Sequence, residues 1–304
     1  MGVFSSKSVE QISEFNSLSL ITWNVWFESP FAEERYNNIF DTCSDLTPHF
    51  ICFQEATHKF LGLLKKHSLL DGYNMSDNGS GSSLGRYGTI LMARKEIQGE
   101  FNDIFFPQSR MGRSLRTFSF QIPSGGENEE EEERIVIGTV HLESLSNASE
   151  RQNQLQISHN TISPISTTSV LCGDFNFDDK RAWVGGPPVE NEEMIERMVG
   201  WNDLWTELRD EEENGYTFEG GVNSFVRKKD EVMRYDRILL RSEDGKWRGE
   251  WISKLGVEPF MESEDGLKVF PSDHYGLHTI LTRTTPSQSN EDGKDNEEED
   301  ETKN

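Results

Sequence analysis

Asn24, Glu55, Asp174, Asn176, Asp236, Asp273 and His274 are the side chains whose types and placement promise chemistry. Most of them sit where an apolar run stops. Residues 18–23 run into Asn24, 50–53 into Gln54-Glu55, 135–140 into His141-Leu142-Glu143, and 169–172 into Gly173-Asp174-Phe175-Asn176. Pro271-Ser272-Asp273-His274 comes just before the last apolar run. Open α/β sheets commonly bind ligands at the carboxyl ends of their strands. Carboxylates, amides and imidazoles gathered on one such rim make a site for magnesium and a phosphodiester.

Each residue has an expected role and a plainer alternative. Glu55 is the first metal ligand, because magnesium usually takes one or two carboxylates plus substrate phosphate and water. The alternative is an acid capping the helix after Ala56-Thr57. Asn24 supports the metal or phosphate without adding negative charge, or ends its strand in a turn. Asp174 can orient and deprotonate a water. Asn176 can bind the phosphoryl oxygen or that same water. Strand alternation points both to one face, and Gly173 admits a substrate or a neighbouring backbone. An Asx turn is the alternative.

His274, as a histidinium, would meet the charge developing on a pentacovalent phosphorus or shuttle a proton. Asp236 is the candidate partner for its second nitrogen, fixing the ring's tautomer. Asp273 would instead face the metal. His141 is a phosphate contact or a satisfied core histidine. Arg113 and Arg234 belong to a scattered set of cations that could grip DNA locally, with Phe218 as an aromatic partner for a base. Solvated charge is the plainer reading of any one of these cations.

The elements that must position these groups follow from periodicity. Apolar alternation and short buried runs predict strands over 19–25, 49–53, 87–94, 101–106, 115–122, 135–142, 168–172, 235–241 and 276–283. Helical spacing predicts helices over 31–46, 57–67, 149–162 and 190–199. Residues 215–234 read as a long loop with few apolar anchors. Strict βαβ alternation is missing, so an α/β fold of two packed mixed β-sheets flanked by helices, a four-layer sandwich, fits better than one doubly wound sheet. The expected organisation is a disordered leader over 1–17, a catalytic domain over 18–285 with an acidic insertion at 123–133, and a disordered acidic tail over 286–304.

The chain has 304 residues and a formal net charge of −24. Six acids lie in 127–133, and eight in 291–301 against one lysine. Setting those segments aside leaves about half the net charge on the body. That argues against a long non-specific grip on duplex nucleic acid and leaves room for a short phosphate clamp. Three widely spaced cysteines, Cys43, Cys52 and Cys172, suggest buried reduced thiols. No apolar run approaches the roughly 18 residues of a membrane span, so stable membrane association is not expected. Met1-Gly2-Val3-Phe4-Ser5-Ser6 fits an N-myristoylation pattern at Gly2. A single acyl chain anchors only marginally, and a disordered leader is the plainer reading.

In this order, Trp23-Asn24, Gln54-Glu55, Gly173-Asp174-Phe175-Asn176 and Ser272-Asp273-His274 resemble the signatures of the endonuclease/exonuclease/phosphatase superfamily across about 18–284. Finer matches point to its tyrosyl-DNA phosphodiesterase branch. They are Asn24-Val25-Trp26-Phe27-Glu28, Ile51-Cys52-Phe53-Gln54-Glu55, His141-Leu142-Glu143-Ser144, Tyr235-Asp236-Arg237-Ile238 and Phe270-Pro271-Ser272-Asp273-His274. The resemblance implies a magnesium-dependent phosphodiesterase, with manganese as a substitute. It would cut the bond between a topoisomerase tyrosine and a DNA 5′-phosphate. Its partners would be DNA ends with 5′-tyrosyl adducts, its state a monomer, its location nucleus and cytoplasm. Ser144 and Tyr235 become substrate contacts by the same resemblance. The chain departs from the family where an arginine follows the Asn176 position by two residues. Asp178 stands there, and Arg181 is the candidate replacement. The rival readings are another hydrolase of the superfamily, acting on abasic DNA, poly(A) or a phospholipid or inositol phosphodiester, and a non-catalytic binding protein on the same scaffold.

Overall fold

The computed structural model describes residues 16–123, 132–181 and 189–284. Gly2, the leader up to residue 15, most of the acidic insertion and the tail lie outside them. In chain order the strands are β1 (Ser17–Asn24), β2 (Phe50–Ala56), β3 (Tyr73–Met75), β4 (Gly88–Arg94), β5 (Gly99–Phe105), β6 (Ser114–Pro123), β7 (Glu132–His141) and β8 (Thr168–Asp174). They continue as β9 (Trp201–Asp203), β10 (Phe218–Glu219), β11 (Val232–Met233), β12 (Asp236–Ser242), β13 (Trp247–Leu255), β14 (Met261–Glu262), β15 (Lys268–Val269) and β16 (Gly276–Arg283). The helices are α1 (Ala32–Leu46), α2 (His58–Leu64), α3 (Ala148–Ile162), α4 (Val189–Arg197) and α5 (Leu204–Leu208).

Two six-stranded sheets result, ordered β13-β16-β1-β2-β4-β3 and β5-β6-β7-β8-β12-β9. Each has one parallel pair at its centre, β1 with β2 and β7 with β8, and antiparallel neighbours on both sides. This is the expected pair of mixed sheets with flanking helices. The central strands are apolar on both faces because both faces are covered. Leu18, Leu20, Phe50, Cys52, Ile135, Ile137, Val170, Cys172, Ile238 and Leu240 fill the space between the sheets. The alternate residues Ile21, Trp23, Ile51 and Phe53 pack under α1 and α2, with Tyr36, Ile39, Phe40 and Phe60. Val136, Val140 and Leu171 pack under α3 and α4, with Leu155, Ile162, Met194 and Met198. Burying one such side chain contributes roughly 1.5–3 kcal/mol.

The inward rows change character along their length. Leu18 and Leu20 are followed by Thr22 and Asn24, Phe50 and Cys52 by Gln54, Ile135 and Ile137 by Thr139 and His141, and Val170 and Cys172 by Asp174. A buried polar layer closes the apolar core. Gln54 Nε2 donates to Thr22 Oγ1 (3.0 Å) and across the sheets to Thr139 Oγ1 (3.1 Å). Beyond that layer the rows end together.

Sequence patterning missed β13 and found only irregular chain around β10 and β11. β13 is an edge strand with a register shift between Gly249 and Trp251 and exposed Arg248 and Glu250, so its apolar alternation is broken. β6 and β7 run into the ends of the expected insertion, to Pro123 and Glu132.

Candidate active site

Parallel strands end at the same edge, and an antiparallel neighbour begins there. Asn24 and Glu55 therefore close β1 and β2, and His141 and Asp174 close β7 and β8. Asp236 opens β12 opposite Asp174, and Asp273-His274 leads into β16. Backbone conformation aims several of these side chains. β2 carries a register shift between Phe53 and Ala56, where Glu55 adopts φ 60°. Such a bulge re-aims a side chain that simple alternation would turn elsewhere. Gly173 has φ 133°, and a Cβ there would lie 1.9 Å from Val140 O. Only glycine allows this approach of β8 to β7. The close neighbour is backbone, the second of the two options its sequence position offered.

The side chains converge on Asp174. Asn24 Nδ2 donates to Asp174 Oδ2 at 2.9 Å. His141 Nε2 lies 3.4 Å and His274 Nε2 3.9 Å from that same oxygen. Asn176 N donates to Asp174 Oδ1 at 2.9 Å. Burial would raise the Asp174 carboxyl, but His141, His274 and the bonds from Asn24 and Asn176 hold it below the ordinary carboxylate range. Asp174 is ionised and oriented.

The two imidazoles are in different states. His141 Nδ1 lies 2.9 Å from an Arg113 guanidinium nitrogen. Arginine only donates, so Nδ1 accepts and Nε2 carries the proton. Burial and then Arg113 push His141 well below its ordinary pKa, leaving a neutral N–H donor. His274 Nδ1 bonds to Asp236 Oδ2 at 2.7 Å. Burial would lower His274, but Asp236 and then Asp174 raise it well above its ordinary value. It is an imidazolium at neutral pH. Its main chain is fixed by Trp23 Nε1 donating to His274 O (3.0 Å) and by His274 N donating to Ser272 Oγ (3.2 Å).

Glu55 Oε2 accepts from Phe27 N at 3.0 Å, and Glu55 Oε1 lies 4.0 Å from His141 Nε2. Burial raises Glu55 above the carboxylate range, against the pull of the Phe27 N–H. Burial also pushes Asp273 up to about 7, with repulsion from Glu55 and Asp174 against attraction to His274 and Arg35. Asp174, Asp236 and His274 have ligand atoms within 4.8 Å of one another and could hold a metal ion. In that group Asp236 Oδ2 is already engaged by His274.

The other expected residues are spread more widely. Phe218 stands edge-on to His274 at 5.0 Å between ring centroids, and Tyr235 lies 6.0 Å from it, so both flank that imidazole. Asn176 turns its amide to Leu142 O (3.1 Å), so that donor is spent on backbone. Ser144 Oγ contacts Met111 Sδ at 3.2 Å on the loop beside Arg113. Arg181 bonds Val232 O and Tyr216 Oη and lies over the Tyr216 ring. Arg234 corrects the expectation of a DNA contact. It is 2% exposed and ion-paired to Asp179 (3.1 Å) and Asp203 (2.8 Å). Asp178, in the family arginine's place, accepts from Arg234 N and Lys180 N (2.6 and 2.9 Å).

Sequence reasoning missed a wall of planar groups beside His141. Phe27 stacks on Tyr87 at 4.7 Å and 6°, Arg86 lies 5.0 Å over Phe27, and Arg113 lies 5.3 Å over Tyr87. No local pattern joins residues 27, 86, 87 and 113. Arg35, buried on α1, was also missed. Its signal was a charge within the apolar stripe Phe31, Ile39, Phe40 and Cys43.

The endonuclease/exonuclease/phosphatase family profile matches residues 21–274, and the chain belongs to that family. No curated protein matches the chain. Among solved structures it is similar to TDP2 (tyrosyl-DNA phosphodiesterase 2) of D. rerio complexed with single-strand DNA product. The two share 24% identity over 88% of this chain and 99% of that one, with a TM-score of 0.70. Truncated TDP2 of Caenorhabditis elegans matches at 19% identity over 90% and 99%, TM-score 0.70. A mannosyl-6-phosphatase of Bacteroides thetaiotaomicron matches at 15% identity over 87% and 99%, TM-score 0.63. At these identities the likeness is one of fold. Among the described residues no helix is long and apolar enough to cross a membrane.

Proposed function

We propose that this endonuclease/exonuclease/phosphatase family member is a divalent-metal-dependent phosphodiesterase that releases a tyrosyl adduct from a DNA 5′-phosphate. The observation that carries this reading is the gathering of Asn24, His141 and His274 nitrogens around one oxygen of ionised Asp174. A phosphoryl group beside Asp174 would meet N–H donors from both imidazoles, one neutral and one charged.

The chain's own groups divide the work. Asp174, below the usual carboxylate range, is a weak base, so it orients the attacking water and takes its proton only as the new P–O bond forms. His274 donates from Nε2 to an equatorial oxygen while Asp236 holds Nδ1. Preorganised donors of this kind are worth about 2.7–4 kcal/mol each in the transition state. His141 donates from Nε2 without adding charge.

Glu55 and Asp273 supply oxygen donors for magnesium, or manganese in its place, with Asn24 supporting them. The fit rests on their chemistry: two partly buried carboxylates, both raised above the ordinary range because burial outweighs the attraction of nearby positive charge. When bound, the metal would neutralise charge on the substrate phosphate. A phenolate leaving group has a pKa near 10 and needs little protonation. The wall of Phe27, Tyr87, Arg86 and Arg113 suits an aromatic leaving group, through stacking and cation–π attraction. The D. rerio TDP2 structure with single-strand DNA product supports a DNA strand on the other side of the phosphate.

The acidic body favours one second reading, a small phosphate ester in place of DNA. The test is cleavage of a 5′-phosphotyrosyl oligonucleotide with magnesium and with EDTA, against abasic DNA, poly(A), sphingomyelin and mannose 6-phosphate. The proposal expects magnesium-dependent release of tyrosine and a 5′-phosphate, with the highest kcat/KM on that substrate. A higher kcat/KM on any of the others would overturn it.

A further inference from the structure

We infer that Arg35 is the positioning residue for the metal-facing half of the site. The inference rests on the reading that Asn24, Glu55 and Asp273 serve a divalent cation. Arg35 lies on α1, fully buried, and touches none of the three. Its five N–H groups all donate to backbone carbonyls. Nε reaches Pro30 O (2.9 Å), one terminal nitrogen reaches Val25 O and Pro271 O (3.1 and 3.2 Å), and the other reaches Trp26 O and Glu28 O (3.3 and 2.7 Å). The planar fork has no donor left over.

Those carbonyls belong to the two segments that adjoin Asn24 and Asp273, and the first of them also holds Glu55 of β2 through Phe27 N. Residues 25–30 wrap around the guanidinium with their carbonyls turned inward. The N–H groups of the same segment turn outward, Trp26 N to Asn24 Oδ1 and Phe27 N to Glu55 Oε2, both at 3.0 Å. The bond to Pro271 O anchors the chain just ahead of Ser272 and Asp273. Ser272 Oγ then donates back to Asn24 O at 2.6 Å. One buried cation thus sets the spacing of Asn24, Glu55 and Asp273 from beneath.

The wrap needs holding. Trp26 and Phe31, both non-glycine, have φ of 57° and 50°, a conformation that persists only where the surroundings over-determine it. Arg35 lies 4.6 Å over the Trp26 ring and 5.7 Å over Phe225, and Tyr36 Oη donates to Trp26 O at 3.0 Å. Lysine would keep the charge, but a single ammonium cannot span five carbonyls. The Asp174–His274–Asp236 side takes no bond from Arg35, so its chemistry should survive the change.

The test compares wild type, Arg35→Lys and Tyr36→Phe by Mn2+ titration followed by electron paramagnetic resonance, alongside the Mg2+ concentration for half-maximal cleavage and the melting temperature. Substitutions that misplace metal ligands without removing them weaken binding about 10- to 100-fold. That loss is expected for Arg35→Lys, with kcat at saturating metal within a few-fold of wild type. Tyr36→Phe, which removes one hydroxyl, should weaken Mn2+ binding less. A lower melting temperature with unchanged Mn2+ affinity would make Arg35 a structural prop only and overturn the inference. If Arg35→Lys does not fold, Tyr36→Phe decides by the same criterion. Wild type that binds no Mn2+ would remove the metal reading itself, which sets that failure apart from failure of the Arg35 inference.

Discussion

The two sheets bring unlike polar tips to one rim. The first contributes Asn24, Glu55 and Asp273, where burial lifts both carboxyls above their ordinary range against the pull of the His274 imidazolium. The second contributes His141, Asp174 and Asp236. There the Asp174 carboxylate is already balanced, by N–H donors and by the His274 imidazolium that the first sheet supplies. Both rims use the same strand geometry, a central parallel pair with an antiparallel neighbour. The difference lies in where the chain leaves negative charge unmet. A bound cation belongs on the first rim, and the handling of water and protons on the second.

Removing the group that joins the rims should have the largest effect. His274→Ala is expected to lower kcat by about 10²–10³-fold while Mn2+ affinity stays near wild type. A matching fall in metal affinity would erase the distinction between the rims. Asp236→Asn should cost less. It keeps a hydrogen-bonding side chain but removes the charge that raises His274, so the alkaline limb of kcat should move to lower pH. An unmoved limb would mean that His274 does not act as the acid form.

The first rim has its own pH signature. Asp273 titrates at about 7 in the fold and in the ordinary carboxylate range when unfolded. Its proton therefore stabilises the metal-free protein at low pH, and that stabilisation is lost as pH rises to about 7. The melting temperature should fall over that interval without metal. Magnesium should restore it more at pH 8 than at pH 6, because protons no longer compete. An equal increment at both pH values would argue against a metal at Asp273.

Arg234 is the contrast that should leave catalysis alone. Breaking its buried ion pairs with Arg234→Met should destabilise the fold by about 3 kcal/mol, read by denaturant unfolding, with kcat/KM nearly unchanged. A substrate-binding arginine would give the opposite pattern.

These contrasts also show what the sequence could reveal. Asn24, His141 and Asp174 were legible because each ends an inward-facing row, where apolar alternation reports the strand and the last polar residue reports the tip, whereas Glu55 reaches the rim through the β2 bulge. His274 and Asp236, 38 positions apart, could be paired on chemistry alone, since a buried imidazole wants a carboxylate. Arg234 was misjudged because a basic residue in an irregular stretch looks the same whether it meets solvent or a buried Asp203. The planar wall and the Arg35 wrap depend on loops from distant positions meeting, which periodicity does not encode. β13 escaped because an edge strand needs apolar residues on one face only, and its bulge breaks even that alternation.

The division of labour is tested most directly by one paired measurement. Mn2+ binding and 5′-phosphotyrosyl oligonucleotide cleavage would be followed in Glu55→Gln and Asp174→Asn. Glu55→Gln should lose Mn2+ affinity and recover much of its cleavage at high metal concentration. Asp174→Asn should bind Mn2+ nearly as wild type does and fail to cleave at any metal concentration. The reverse pattern, with metal lost in Asp174→Asn and retained in Glu55→Gln, would contradict the account.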